Sequence, residues 1–200
     1  MWAGGRLRFQ RPLRVDEPVE RRSEIAAVSQ KSGRNGRLVF VTVRHQLHGS
    51  AGLAIEEEQD IVYREAASAS APAATAPQPV PRINPAWAKE IRPSATLLFR
   101  YSALIFNAHR IHYDQPYVTK VEGYPGLIVH GPLIATYLLD LFRVKAGSPL
   151  AAFSYRGVSP LFDTVPFRVC GQPAADGRSA ELWAETPEGT LAMTARAEFS

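Results

Sequence analysis

At 200 residues the chain has room for one large domain or two small ones, and a hydrophobic fraction of 46% supports an ordinary globular core. A single cysteine, Cys170, rules out an intrachain disulfide and makes a reducing, intracellular compartment the default. The net charge of +4 comes from arginines scattered along the chain rather than striped with aromatics. That pattern argues against a nucleic-acid surface and leaves a solvated surface or local attraction for a phosphorylated ligand.

In chain order, the opening "MWAGGRLRFQRPLR" lacks the apolar core of a signal peptide, which predicts a cytoplasmic protein. The run "VERRSEIAAVSQK" predicts a strand ended by the turn "SGRNG". Next, "GRLVFVTVRHQLHG" (36–49) and "LAIEEEQDIVYRE" flank a short Gly-containing turn and predict a hairpin. Residues 66–81, "AASASAPAATAPQPVP", carry almost no large apolar side chain and predict an extended linker. The chain therefore divides into a β-meander (1–65), a linker (66–81) and a second domain (82–200).

Within that second domain, "LLFRYSALIF" (97–106) is apolar and β-leaning, and "NAHRIHYDQPY" follows as a turn or short helix limited by Pro116. A β-run "LIV" then ends at His130-Gly131, where a helix begins (131–147). Pro132 near its start and Gly147 at its end are the expected punctuation. Leu133, Ile134, Tyr137, Leu138, Leu141 and Phe142 recur at helical spacing over a broad apolar face. The run "PLIATYLLDLF" is too short to span a bilayer and carries Asp140. A final meander has strands joined by "PAADG" and "PEG". Laid beside each other, "FQRPLRVDEPVERRSEI" and "YRGVSPLFDTVPFRVCG" share a layout, a weak repeat. The second meander has a helix to wrap, whereas the first opens at Met1 without one. Its apolar face predicts either a preceding segment or association with another copy. A helix wrapped by an antiparallel sheet, once whole and once partial, fits an α+β fold of the hotdog type.

The chemistry concentrates between 99 and 131. The first amides of a helix lack internal partners and lie at its positive end, so His130-Gly131-Pro132 offers a place for a developing anion. Gly131 lets a carbonyl approach its amide closely. Upstream, His109 and His112 share one face of a helical turn, and Asn107 lies within reach of the same ligand. Three readings stay open for this cluster. One is a metal site drawing on Asp114, His130, His45 or His48, although no HExxH or CxxC pattern supports it. Another is a set of structural histidines. The third is an acid–base centre with an imidazole neutral near pH 7.

The stretch "YSALIFNAHRIHYDQPYVTKVEGYPGLIVHGPLIATYLLDL" resembles the active-site region of MaoC-like type-2 enoyl-CoA hydratases. It is closer still to the fatty-acid-synthase-like, or mesaconyl-CoA-hydratase-type, dehydratase branch of that hotdog superfamily. The superfamily signature Asp-x-Asn-Pro-Ile-His reads here Asn107-Ala108-His109-Arg110-Ile111-His112, followed by His130-Gly131. Asn107 stands where the signature has a proton-accepting Asp.

The resemblance implies reversible hydration of a 2-enoyl-CoA, or dehydration of a 3-hydroxyacyl thioester, in fatty-acid-type metabolism. It assigns His112 as base, Asn107 as the group orienting water and the Gly131 amide as oxyanion donor. His109, Arg110, Tyr113, Asp114, His130 and Leu133 are the expected substrate contacts, Asp114 having a helix cap as its other role. No metal or cofactor is called for beyond the CoA or acyl-carrier thioester itself. The expected partners are that small-molecule substrate and further copies of the chain, with no nucleic acid and no membrane. A noncatalytic acyl-CoA-binding module and a hotdog thioesterase are the alternatives.

Overall fold

The computed structural model describes residues 2–33, 36–64 and 84–199. The linker 66–81 and the tip of the turn at 34–35 lie outside these. Among the described residues nine strands form one antiparallel sheet: β1 (Trp2–Phe9), β2 (Glu20–Gly33), β3 (Gly36–Gly49), β4 (Gly52–Arg64), β5 (Trp87–Ile91), β6 (Leu150–Gly157), β7 (Phe167–Pro173), β8 (Ser179–Glu185) and β9 (Leu191–Phe199). Their order, β2-β3-β4-β1-β6-β9-β8-β7-β5, runs through the same sequence of strands outward from a central β1–β6 seam. The weak sequence repeat is thus a repeat of topology, with β5 added at one edge.

The seam explains the two glycines in "WAGGR". A Cβ on Gly4 would meet the Tyr155 carbonyl oxygen at 2.6 Å, and one on Gly5 the Tyr155 hydroxyl at 2.7 Å. Glycine at both positions admits the Tyr155 side chain and backbone. Gly5 pairs with Tyr155 and Leu7 with Phe153, which joins the two halves into one surface.

Helix α3 (Gly131–Ala146) lies across the second half, against β5 to β9 and β1. Its apolar positions decide this: Leu133, Ile134, Leu138, Leu141 and Phe142 are all buried, while Tyr137 packs at the margin. Full burial of each large side chain is worth about 1.5–3 kcal/mol. Gly147 ends the helix in the left-handed conformation (φ 66°), as its glycine predicts. The same sheet face continues across β1 to β4 through the paired residues Gly5, Gln59, Val43 and Ile25. Among the described residues, no helix lies across β2 to β4.

Three local expectations are corrected. The segment 97–106 is not β: Ala95–Leu104 form helix α1, because the Ser94 hydroxyl accepts the Leu97 amide at 3.2 Å and caps it. Only Leu98 and Ser102, one turn apart, are buried. The run "LIV" is an extended segment with one isolated bridge, Ile128 to Phe162, not a strand. Pro116 lies in the first turn of α2 (Gln115–Lys120) and starts that helix rather than limiting the preceding turn. Strands β1, β5 and β6 carried no clear sequence signal.

Candidate active site

Helix α1 ends at a sharp reversal. Phe106 adopts φ 53°, a conformation that costs a bulky residue energy, and the Asn107 amide turns back to the Ser102 carbonyl at 2.9 Å. Asn107 Oδ1 then accepts the His109 amide at 3.0 Å, which fixes the loop. Its oxygen is thereby engaged, and the group it offers outward is the NH2 donor.

A 3₁₀ turn, Arg110–His112, carries His112 inward until it is 8% exposed. The Ile128 backbone locks this turn at two points: its amide donates to the Ile111 carbonyl at 3.0 Å, and its carbonyl accepts from His112 Nδ1–H at 2.7 Å. A carbonyl only accepts, so Nδ1 carries the proton and Nε2 keeps its lone pair. Asp163 braces the preceding residue, accepting the Leu127 amide at 2.8 Å. Burial pushes the His112 imidazole down to about 4, only partly offset by the Ile128 bond.

The His112 ring lies face to face on His130, with centroids 3.7 Å apart and planes at 17°. His109 meets His112 edge-on at 5.7 Å, and burial lowers its pKa as well. His130 is the residue from which α3 departs, and it is 1% exposed. Its Nε2 is bonded to the Ser102 hydroxyl at 2.9 Å, and its Nδ1 has no hydrogen-bond partner. Burial, then the neighbouring His112, pushes its pKa down to about 3.

The next residue is Gly131. No side chain caps this end of the 16-residue helix, and Pro132 has no amide proton, so the Gly131 and Leu133 amides are the first available donors. A Cβ at Gly131 would meet only Trp2 Cβ at 3.9 Å and Met193 Cε at 4.0 Å. Packing does not require glycine there. His112, His130 and the start of α3 are therefore gathered in one place.

The remaining expected residues divide. Leu133 is in the core below the first turn. Tyr113 donates its hydroxyl to the Ala108 carbonyl at 2.9 Å. Asp114 caps α2 by accepting the Tyr117 amide at 3.1 Å and pairs with Arg110 at 2.8 Å, which holds its carboxyl below the usual carboxylate range. Arg110 also lies over the Tyr117 ring. These two side chains are engaged with each other and with α2 rather than with the stacked imidazoles. His45 and His48 are on β3, where His45 bonds to Ser23 at 2.7 Å. Among the described residues, no three of His, Cys, Asp and Glu are grouped as metal ligands.

Residues 1–163 match the family described as hydroxyacyl-thioester dehydratase type 2. The chain belongs to that family. Two relatives of known activity agree. A mesaconyl-C(4)-CoA hydratase of Chloroflexus aurantiacus is 49% identical over 199 residues, covering all of this chain and 70% of the relative. A mitochondrial hydroxyacyl-thioester dehydratase type 2 of Schizosaccharomyces pombe is 31% identical over 194 residues, covering 85% of this chain and 63% of the relative. Solved structures share the fold. A MaoC-like dehydratase from Phytophthora capsici superposes with a TM-score of 0.74 at 16% identity, covering the whole chain and 71% of its own. HtdX from Mycobacterium tuberculosis gives 0.72 at 22% identity, covering the whole chain and 76% of its own. The hotdog fold expected from the sequence is thereby borne out, as is the dehydratase family.

Ser102 and the Ile128 carbonyl escaped the sequence reading. Ser102 looked like one residue of an apolar strand, and only the helical course of α1 turns it toward His130. The role of Ile128 depends on a contact between distant segments, which no local pattern signals.

Proposed function

We propose that this chain catalyses the reversible addition of water across the double bond of a 2-enoyl thioester. The observation that carries the reading is a neutral His112, with Nε2 free, packed beside the uncapped start of α3. In the dehydration direction, His112 Nε2 takes the C2 proton of a 3-hydroxyacyl thioester. The electron pair moves toward the thioester oxygen, where the Gly131 amide accepts the developing charge as a hydrogen-bond donor. As the C3–O bond breaks, the imidazolium returns its proton to the departing hydroxyl, and water leaves. The balance closes with one base. Asn107 takes no proton in this scheme; its NH2 donates to the departing oxygen. A free imidazole near pKa 4 is a weak base, but the negative charge growing on the substrate raises its proton affinity as the proton is transferred.

By likeness to its Chloroflexus relative, a short branched enoyl-CoA of the mesaconyl type is the proposed substrate, with CoA as carrier. His109 and Tyr113 supply the surrounding surface, while His130 lies buried beneath the base. The first four strands are proposed as a partial second hotdog, and an intracellular compartment suits the buried thiol of Cys170. Crotonyl-CoA or mesaconyl-CoA mixed with the protein should lose enoyl absorbance. His112→Ala should lower turnover by at least about 100-fold while CoA affinity persists. Binding without turnover by the unaltered chain would favour a binding module, and release of free CoA thiol a thioesterase.

A further inference from the structure

The base proposed above has a support that the mechanism does not use. His112 is restrained at its edge by the Ile128 carbonyl and on one face by His130. The edge bond sets the tautomer; the face contact sets the plane. Together they aim the Nε2 lone pair. His130 is in turn bonded to Ser102, and Ser102 through its carbonyl also anchors the Asn107 amide. One serine thus ties the Asn107 loop and the ring beneath the base to the same turn of α1.

An apolar side chain at 130 would fill this buried place without leaving a nitrogen unpaired, and a buried polar atom lacking a partner costs about 1–3 kcal/mol. A ring with an unpartnered nitrogen stands there despite that cost. The other titratable groups around the pair are His109, edge-on to His112 and itself near Glu122, and Tyr101, edge-on to His130 at 4.9 Å. Among the described residues, no carboxylate, Lys or Arg bonds to either ring.

We propose that Ser102 and His130 are positioning residues for His112: the His130 ring, pinned by the Ser102 hydroxyl, is a flat dry platform that fixes the plane of the His112 imidazole and keeps water off that face. This inference rests on the assignment of His112 as base. A platform needs a ring, not a proton, and that distinguishes it from a chemical partner.

The test combines imidazole NMR titration with steady-state kinetics on crotonyl-CoA. In the unaltered protein burial holds the His112 imidazole down to about 4, and its titration midpoint should fall there. His130→Ala admits water, so the midpoint rises by at least about 1 pH unit toward the ordinary histidine value, and kcat falls about 10- to 100-fold with KM within about 3-fold. His130→Phe restores a flat apolar ring, so the midpoint returns to within about 0.5 unit and kcat recovers to within about 5-fold. Ser102→Ala raises the midpoint and lowers kcat by about 3- to 10-fold, yet adds no further loss on the His130→Phe background, because the bond it removes is already gone.

Three results overturn the proposal: an unshifted His112 in His130→Ala, a His130→Phe as impaired as His130→Ala, or a Ser102→Ala loss that persists when combined with His130→Phe. If His130→Ala does not fold, an unshifted titration in Ser102→Ala decides against it. Should the unaltered protein turn over no enoyl-CoA while the titrations behave as stated, the hydratase reading falls and the platform stands.

Discussion

His112 and His130 touch ring to ring in a place that excludes water, so a charge on either is opposed first by burial, with His109 adding to this at His112 and His112 adding to it at His130. The consequence for stability has a definite sign. In the unfolded chain both rings titrate at about 6.5. In the folded protein they are held down to about 4 and about 3. Between those values and about 6.5 the unfolded chain binds more protons, so stability is lost as pH falls through that window and is fully present above it. Each group contributes at most about 1.4 kcal/mol per pH unit. Urea unfolding at pH 7 and pH 5 should therefore show a loss on the order of 2–4 kcal/mol, shrinking in His130→Phe. Equal stability at both pH values would mean that the pair is hydrated or charged. The closeness of His109 and His112 was legible from their spacing. The stacking of His112 on His130 was not, because it depends on Ile128 and Ser102, which belong to segments without local signals.

At the scale of elements, α3 both fills the core and presents the donor end of the site. Those two duties are separable at Gly131. The residue is helical, not left-handed, and a methyl there finds ordinary contacts with Trp2 and Met193. Gly131→Ala should thus leave unfolding free energy unchanged or raise it by up to about 1 kcal/mol, since alanine restricts the unfolded chain. Turnover should fall on the order of 10-fold or more, because the methyl holds the thioester oxygen away from the amide. Thermal melts read beside crotonyl-CoA kinetics separate the two effects; a parallel loss of stability and activity would make Gly131 a packing residue. The helix was readable from sequence because Pro132, Gly147 and the 3.6-residue apolar period are local features. Helix α1 was misread because its one cap, Ser94, lies outside the apolar run that suggested a strand, and much of that run remains exposed, with Phe99 and Leu104 turned to solvent. Strand β1 was missed for the opposite reason: its glycines weaken the alternation, and they are explained only by Tyr155, far away in sequence.

For the whole molecule, the mirrored strand order sets up an asymmetry with a consequence. Both halves of the sheet present the same face, but α3 lies across β5 to β9 and reaches no further than β1, so among the described residues β2 to β4 have no helix over them. Across β2 to β4 that face carries Val39, Val41, Val43 and Ile61 as a stripe, bordered by Ile25, Val28 and Tyr63 at 57–68% exposure. The opposite face is laced with ion pairs, Arg6 to Asp60 and Arg44 to Glu24 among them, and is suited to water. A contiguous apolar stripe of this kind is unusual on a free surface. A second copy presents the same stripe, and two-fold pairing sets each against its equal without breaking any ion pair on the far side. The expectation is concentration-dependent association, seen by light scattering as a mass rising from monomer toward dimer. Val28→Lys, at an exposed position of β2, should shift that equilibrium toward monomer at unchanged melting temperature. A single monomeric mass at every concentration would show instead that the stripe tolerates water, and β2 to β4 would then have to be stabilised by their ladder of hydrogen bonds and the ion pairs of the polar face alone.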